Sequence, residues 1–178
     1  MDLLKDQLEN ILQRKYFVDD ESYKRSIERF KQGNWRRTQN SLSHFDIHFV
    51  PYHESTLRIF MVLHKKAQTW IAPGGHMETD ELLHDTLNRE IKEEIGLIKK
   101  YDSTVEPFLI TVFDVDNDRQ ICKEHYDIWF LVELNDDEMA HMTVDSTEFY
   151  DSRWITLYDA RKIVTQKNNL FMIERLRK

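Results

Sequence analysis

The sequence predicts an α+β fold, in which strands and one central helix are mixed along the chain. Residues 1–41 carry apolar side chains at three- and four-residue spacing, which is typical of amphipathic helices. From His44 the apolar period changes to two, as expected for half-buried strands. One helical segment, residues 80–95, interrupts the strands. Because helices and strands do not alternate regularly, a sheet built from βαβ units is disfavoured.

The N-terminal region, residues 1–41, is predicted to be a helical extension. Its apolar residues recur first at Leu3, Leu4, Leu8, Ile11 and Leu12, and then at Tyr23, Ile27 and Phe30. Asp19 or Asp20 is available to cap the second helix, and Gly33 closes it. We expect the extension to pack on the domain of residues 42–178 or on a second copy of the chain, which would give a homodimer. Binding of another partner is the alternative.

The domain of residues 42–178 contains the other predicted elements. Strands are predicted at residues 44–52, 56–63, 70–72, 105–115, 125–134 and 153–155, with a turn at 116–118. Helices are predicted at residues 80–95, 158–164 and 169–176. Pro73, Gly74 and Gly75 break the chain after the third strand, and Gly96 stops the central helix.

Composition limits the functions open to the chain. Its 178 residues are 40% hydrophobic, enough for a folded core, and the formal net charge is −7. This charge does not attract long nucleic acids or anionic membranes, so neither is an expected partner. The single cysteine, Cys122, cannot form an intramolecular disulfide, and the apolar runs are too short to cross a bilayer. We expect a soluble cytoplasmic protein, in which a polyphosphate substrate would need a bound cation.

The central helix carries acidic residues beside its apolar stripe. On a helical wheel, the stripe consists of Leu83, Leu87, Ile91 and Ile95. Glu90 and Glu94 fall within roughly 20° of Leu83, and with Glu93 they span an arc of about 100°. An ordinary solvated helix would carry its charges opposite the leucines.

These carboxylates repel each other unless something neutralises them. Glu90 and Glu94 form a like-charge i,i+4 pair near the helix C-terminus, where the helix dipole also disfavours anions. A hard divalent cation removes both penalties, and Mg²⁺ takes oxygen ligands of this kind. Arg89 could fork a neighbouring carboxylate and fix its rotamer. The alternative is a charged, solvated helix end.

The same segment resembles the Nudix box. The matching residues are Gly75, Glu81, Arg89, Glu90, Ile91, Glu93, Glu94, Gly96 and Leu97, at the spacing of that motif throughout. The closing strand around Trp154 and the helix after it also resemble a Nudix domain. The resemblance therefore covers roughly residues 42–178.

The resemblance implies a fold, a cofactor and a reaction. Nudix proteins have a mixed β-sheet sandwiched between helices. They use Mg²⁺ or Mn²⁺ to hydrolyse a nucleoside diphosphate linked to another group. A small nucleotide-type substrate is therefore expected, and a nucleoside triphosphate, a nucleotide sugar and a capped RNA all stay open. The alternative is a catalytically silent Nudix module that senses a nucleotide; such modules commonly lose the box carboxylates, which this chain retains.

By the same similarity, four residues are expected to hold the metal. Glu90 and Glu94 would be direct ligands, and Gly74 would offer its backbone carbonyl. Glu93 would be a further ligand or the general base, and we assign it the role of base.

Other box residues are expected to support the site. Gly75 would permit the tight loop, Glu81 would brace loop and helix, and Gly96 would end the helix. Arg89 is counted with the catalytic residues. Glu148, five residues before Arg153, is the candidate for a late acidic catalytic residue, and an exposed loop glutamate is the alternative.

Four residues outside the box carboxylates are candidates for substrate contacts: His64, Lys66, His76 and Tyr126. The first two lie in a turn after a strand, and His76 follows the glycine pair; solvated loop positions are the alternative. Tyr126 falls in a run with His125, Asp127 and Trp129 that could line a base pocket. Half-buried strand packing is the alternative for that run.

Overall fold

A computed structural model describes residues 2–115 and 121–177. Within these residues the chain forms six α-helices, α1 Leu3–Ile11, α2 Asp20–Lys31, α3 Leu83–Ile95, α4 Asp136–His141, α5 Leu157–Ile163 and α6 Lys167–Leu176. The strands within them are β1 Ser43–His53, β2 Arg58–His64, β3 Thr69–Ile71, β4 Gly74–His76, β5 Leu109–Asp114, β6 Glu124–Glu133 and β7 Phe149–Thr156. The turn predicted at 116–118 lies outside the described residues.

All described strands join one mixed sheet with β1 near its centre. The strand order is β3-β2-β1-β6-β5, with β7 paired to β2 and β4 paired to β1. β1 runs parallel to β6 over its length and antiparallel to β4, whose Gly74, Gly75 and His76 pair with residues 46–48. The short strand β4 thus attaches the loop before α3 to the middle of the sheet.

Helices cover both faces of this sheet. On one face, the stripe of α3 packs with Phe45, Ile47 and Phe49 of β1 and with the apolar residues of α1. On the other face, Val50 and Trp129 pack with α5 and α6, including Met172. The predicted α+β fold, a mixed sheet between helices preceded by N-terminal helices, is confirmed.

The N-terminal helices share the core of the α3 face. Leu4 and Leu8 are fully buried in the same cluster as Leu83 and Leu87. At the start of α3, the Leu83 N–H donates to the side-chain oxygen of Gln7 at 3.0 Å. The first helix therefore supplies a hydrogen-bond acceptor to one of the N–H groups that the first turn of α3 leaves unpaired.

Three element boundaries differ from prediction, two of them where the backbone has positive φ and one after a turn. Asp80 (φ 67°) precedes α3, which begins at Leu83 rather than at residue 80. Leu57 (φ 52°) likewise delays β2 to Arg58. β5 begins at Leu109 instead of residue 105, after a turn closed by the Val105 N–H donating to the Asp102 carbonyl.

Three further differences come from tertiary pairing. β7 spans Phe149–Thr156 because it pairs with β2 over that length, although its exposed polar residues obscure the strand pattern. β4 was not predicted, because glycine has low strand propensity. The six-residue helix α4 was also missed, since so short a segment shows little periodicity.

Candidate active site

Two carboxylates of α3 lie against the two glycines of β4. The Gly74 N–H donates to Glu94 Oε2 at 2.6 Å. A Cβ atom on Gly75 would overlap the carboxylate of Glu90, so a side chain here would displace that carboxylate. A Cβ on Gly74 (φ 144°) would overlap the Ile47 carbonyl of β1. The glycine pair thus lets the helix carboxylates approach the backbone of the sheet.

Arg89 connects the acidic residues to the loop. Its Nε donates to Glu81 Oε1 at 2.6 Å, and its Nη1 donates to Glu90 at 2.7 Å and to Glu93 at 2.9 Å. Its Nη2 donates to the His76 carbonyl at 2.9 Å. One guanidinium therefore fixes three carboxylates and the end of β4, as its planar fork allows.

Glu81 braces the loop to the helix. Its Oε2 accepts from the Glu78 N–H at 2.9 Å, from the Thr86 hydroxyl at 2.7 Å and from Arg89 at 3.0 Å. The carboxylate thereby ties residue 78 of the loop to the first turns of α3.

The helix carboxylates differ in exposure. Glu90 and Glu94 are buried, with 7% and 5% of their surface exposed, whereas the side chain of Glu93 is 57% exposed. Burial raises the pKa of Glu94 well above its usual range, and the negative charge of Glu90 adds to this. Burial also raises the pKa of Glu90, although Arg89 opposes that shift. Arg89 therefore does not fully offset the burial of Glu90 and Glu94, whereas Glu93 is in contact with solvent.

The C-terminal end of α3 is closed by the loop before β7. Gly96 has φ 72°, and a Cβ there would overlap the Thr143 hydroxyl. The Thr143 N–H donates to the Ile95 carbonyl at 3.0 Å, and the Asp145 N–H donates to the Glu94 carbonyl at 3.1 Å. This loop satisfies carbonyls that the helix end leaves unpaired, and it leads directly to Glu148.

Glu148 reaches the site from the start of β7. Its carbonyl accepts from the Lys65 N–H at 2.9 Å, and its carboxylate lies 3.8 Å from His64 Nε2. The negative charge of Glu148 also raises the pKa of Glu94, after burial and Glu90. The structure thus brings Glu148 toward the helix carboxylates, together with His64.

The other residues that the sequence predicted to contact the substrate do not lie together. His64 Nδ1 accepts from the backbone N–H groups of residues 66 and 67, so this ring organises the turn in which Lys66 is exposed. Tyr126 is buried against Phe45, and its hydroxyl donates to Glu124 at 2.8 Å. Grouping Tyr126 with the polar run of β6 was wrong, because adjacent strand residues point to opposite faces.

Sequence reasoning singled out the β6 half of a polar ladder beside β4, but it missed the β1 half and the pairing of the two. His44, Asp46 and His48 of β1 stand directly across from His125, Asp127 and Trp129 of parallel β6. Their alternation with Phe45, Ile47 and Phe49 was a signal in the sequence. His76 also belongs to this side: its Nε2 lies 3.8 Å from Cys122 Sγ and 3.8 Å from Asp46 Oδ2.

The α3 carboxylates suit a hard divalent cation. Their donors are all oxygen, which is what Mg²⁺ and Mn²⁺ prefer. Burial of Glu90 and Glu94 beside the unsubstituted Gly75 is an arrangement that a cation would stabilise, since the two carboxylates share one nearby guanidinium, which contacts Glu90 and two further carboxylates. The residues present therefore fit such an ion.

The fold and this site define an α+β domain that presents buried carboxylates at a glycine-rich strand–helix junction. Residues 47–174 match the family model described as NUDIX domain. The chain therefore belongs to the Nudix family, as its box predicted. None of the helices described is long and apolar enough to span a membrane.

Among curated proteins, the chain is 27% identical over 125 residues to an RNA pyrophosphohydrolase of Stenotrophomonas maltophilia. That match covers 64% of this chain and 60% of the relative, so the chain spans less than two thirds of that protein's length.

Among solved structures, the chain resembles a NUDIX-family hydrolase from Clostridium perfringens (TM-score 0.58, 23% identity, 75% of this chain and 96% of the other). It also resembles the E. coli dihydroneopterin triphosphate pyrophosphohydrolase (TM-score 0.54, 18% identity, 80% and 97%). At these identities the two structures establish a shared fold.

Proposed function

We propose that this protein is a divalent-metal-dependent hydrolase that cuts a phosphoanhydride bond in a nucleoside diphosphate linked to another group. The observation that carries the proposal is the contact of two buried carboxylates, Glu90 and Glu94, with the consecutive glycines of β4. Membership of the Nudix family supports the same reaction, and two similar proteins are named pyrophosphohydrolases.

In the proposed site, Glu90, Glu94 and the Gly74 carbonyl would hold Mg²⁺ or Mn²⁺. Such an ion would neutralise phosphate charge and acidify a water molecule. Glu93 is proposed as the general base. The alternative is that Glu93 is a further ligand of the ion.

In this proposal, the side chains of the protein hold the catalytic carboxylates in place and remove a proton from the attacking water. Arg89 holds Glu90 and Glu93 in fixed rotamers through its Nη1 donors. Glu93, the exposed member, accepts the proton of the attacking water and can return it to solvent. Glu148, arriving from β7, is the second acidic group and could take that role in its place.

The substrate is proposed to be a small nucleotide, such as a nucleoside triphosphate or a nucleotide sugar. The exposed Lys66, together with His64 beside Glu148, would contact its phosphates, whereas His76 faces the other side of β4. An RNA 5′ end is the second candidate, because the curated relative is named an RNA pyrophosphohydrolase. The net charge of −7 favours the small substrate.

A substrate panel tests the reaction. Nucleoside triphosphates, nucleotide sugars and a short 5′-triphosphorylated RNA are incubated with the protein and Mg²⁺, Mn²⁺ or a chelator, and released phosphate and pyrophosphate are measured. We expect turnover of at least one nucleotide with metal only. Glu93→Gln should lower that turnover by on the order of 10²–10⁴-fold, the range for loss of a general base.

Glu28→Gln is the matched control, since Glu28 is an exposed helical carboxylate on α2 and should leave turnover unchanged. Nucleotide binding without turnover on the whole panel, by folded protein, would support the silent sensing module instead. Unchanged turnover in Glu93→Gln would transfer the role of base to Glu148.

A further inference from the structure

A second group of metal-binding side chains lies on the other side of β4. Three histidines and the single cysteine of the chain, His44, His76, Cys122 and His125, place one donor atom each within 4.8 Å of one another. The three imidazole centroids are separated by 5.0, 5.1 and 5.4 Å, and the rings are inclined rather than stacked. The four residues come from β1, β4, β6 and the segment before β6, and none of them is one of the matching residues of the box.

The separations fit a four-coordinate ion. Cys122 Sγ lies 3.7 Å from His44 Nε2 and 3.8 Å from His76 Nε2. With Zn–S bonds of about 2.3 Å and Zn–N bonds of about 2.0 Å, the S···N edge of a tetrahedron is about 3.5 Å. Two edges of the site are therefore already close to those of a zinc tetrahedron.

The ring orientations leave nitrogen lone pairs free for a ligand role. His44 Nδ1 is 2.8 Å from the Asn40 carbonyl, to which it donates, so Nε2 is left with its lone pair. His125 Nδ1 is 3.0 Å from Asp46 Oδ2, which leaves its Nε2. That Nε2 is buried and has no hydrogen-bond partner in the described part of the chain. A carboxylate or carbonyl that orients the distal ring nitrogen is the usual support of a metal-binding histidine.

The buried charge also favours a cation. The Asp46 Oδ1 atom is buried and, within residues 2–115 and 121–177, accepts no hydrogen bond. The ring of His44 is fully buried and that of His76 is part-buried, and the neutral ring is the form of histidine that binds a metal. The positive charge of Arg37 acts on these rings, and the Asp46 carboxylate with a Cys122 thiolate would offset it.

We propose that His44, His76, Cys122 and His125 form a binding site for a thiophilic divalent transition metal, with Zn²⁺ as the expected ion. On binding, the Cys122 S–H bond breaks, its proton leaves to solvent, and the thiolate becomes a ligand. Four protein ligands fill a tetrahedron, so the role is structural: the ion fastens β4 to β1 and β6. The proposal does not depend on the hydrolytic activity.

Cobalt spectroscopy tests the site in the full chain. The protein is stripped with a chelator under reducing conditions and loaded with one equivalent of Co²⁺. We expect a sulfur-to-cobalt charge-transfer absorption in the near ultraviolet and strong visible bands of four-coordinate cobalt. Because the sequence contains one cysteine, this absorption reports on Cys122 alone. One equivalent of Zn²⁺ should abolish it, and excess Mg²⁺ should not.

Variants separate this site from the box. Cys122→Ser should remove the charge-transfer absorption, and His125→Asn should weaken Zn²⁺ binding by more than about tenfold. His141→Asn, at an exposed histidine of α4, is the matched control and should retain both, as should Glu94→Gln.

Absence of the charge-transfer absorption in folded, reduced wild-type protein would overturn the proposal, and so would its displacement by Mg²⁺. These two measurements need no variant, so they decide the question even if Cys122→Ser fails to fold.

Discussion

The two sides of β4 hold two different donor sets. On the α3 side, Gly74 and Gly75 meet the oxygen atoms of Glu94 and Glu90. On the other side, His76 meets the sulfur of Cys122 and lies in a ring of imidazoles. Oxygen donors suit Mg²⁺ and Mn²⁺, whereas nitrogen and sulfur donors suit Zn²⁺. The three consecutive residues of β4 therefore lie between a set of hard ligands and a set of soft ligands.

The two donor sets also differ in exposure. The α3 set includes an exposed carboxylate, Glu93, and can open to a substrate. The histidine set, which consists of His44, His76, Cys122 and His125, is more enclosed, because His44 and Cys122 are buried. Open coordination is a feature of catalytic sites and closed four-ligand coordination one of structural sites. Four variants can show whether the two sets act independently.

The largest effect is expected from Arg89→Lys. A lysine cannot reproduce the fork to Glu81, Glu90 and Glu93, so the carboxylates lose their fixed rotamers. We expect kcat/KM on the best panel substrate to fall about 100-fold, the cost of misplacing catalytic groups by an ångström. Arg89 also loses its bond to the His76 carbonyl, but because His76 stays paired with Asp46 of β1, the Co²⁺ spectrum of the histidine site should not change. Arg161→Lys, at an exposed ion pair, is the control; a changed Co²⁺ spectrum in Arg89→Lys would mean that the two sets are coupled.

Asp46→Asn should act on the histidine set. The change weakens the acceptor that orients His125 at 3.0 Å. Zn²⁺ affinity, measured by competition with a chromophoric chelator, should fall about 10–100-fold, as is usual for a residue that supports a metal ligand. Asp137→Asn, at an exposed carboxylate of α4, should have no effect. Unchanged affinity in Asp46→Asn would show that His125 needs no such support.

Asn169→Ala removes a hydrogen bond next to β4, the strand that both donor sets adjoin. Asn169 Oδ1 accepts from the buried Ala72 N–H at 2.8 Å, two residues before β4. Leaving that donor unpaired should lower the free energy of unfolding by about 1–3 kcal/mol, measured by urea denaturation. Asn10→Ala, at an exposed asparagine, is the control. A stability loss with both metal affinities intact would show that β4 is held by its sheet pairing alone.

The smallest effect is expected from Gln7→Ala. Its side chain accepts from Leu83 N–H and lies 2.9 Å from His84 Nδ1, so the loss should be about 0.5–1.5 kcal/mol of unfolding free energy. Glu9→Ala, at an exposed position of α1, should cost less. Zn²⁺ stoichiometry should stay the same in both variants. A drop in stoichiometry for Gln7→Ala would connect the N-terminal helix to the histidine site.

The sequence predicted the α3 side of this comparison far better than the other side. The box is contiguous, and the wheel alone placed Glu90 and Glu94 beside the buried stripe; the burial of both agrees with it. The wheel could not show that Glu93, in the same arc, is exposed. His44, His76, Cys122 and His125 are spread over 82 positions, and only the β1–β6 and β1–β4 pairings bring them together. Sequence spacing carries no information about such pairings.

The hydrogen bond between Gln7 and Leu83 joins positions 76 residues apart. At synthesis rates of about 5–20 residues per second, α1 leaves the ribosome on the order of 4–15 s before its partner. During that interval, Leu4 and Leu8 have no α3 to cover them. The same apolar stripe that completes the core of the finished protein is therefore, on the growing chain, a surface that chaperones or neighbouring nascent chains can bind.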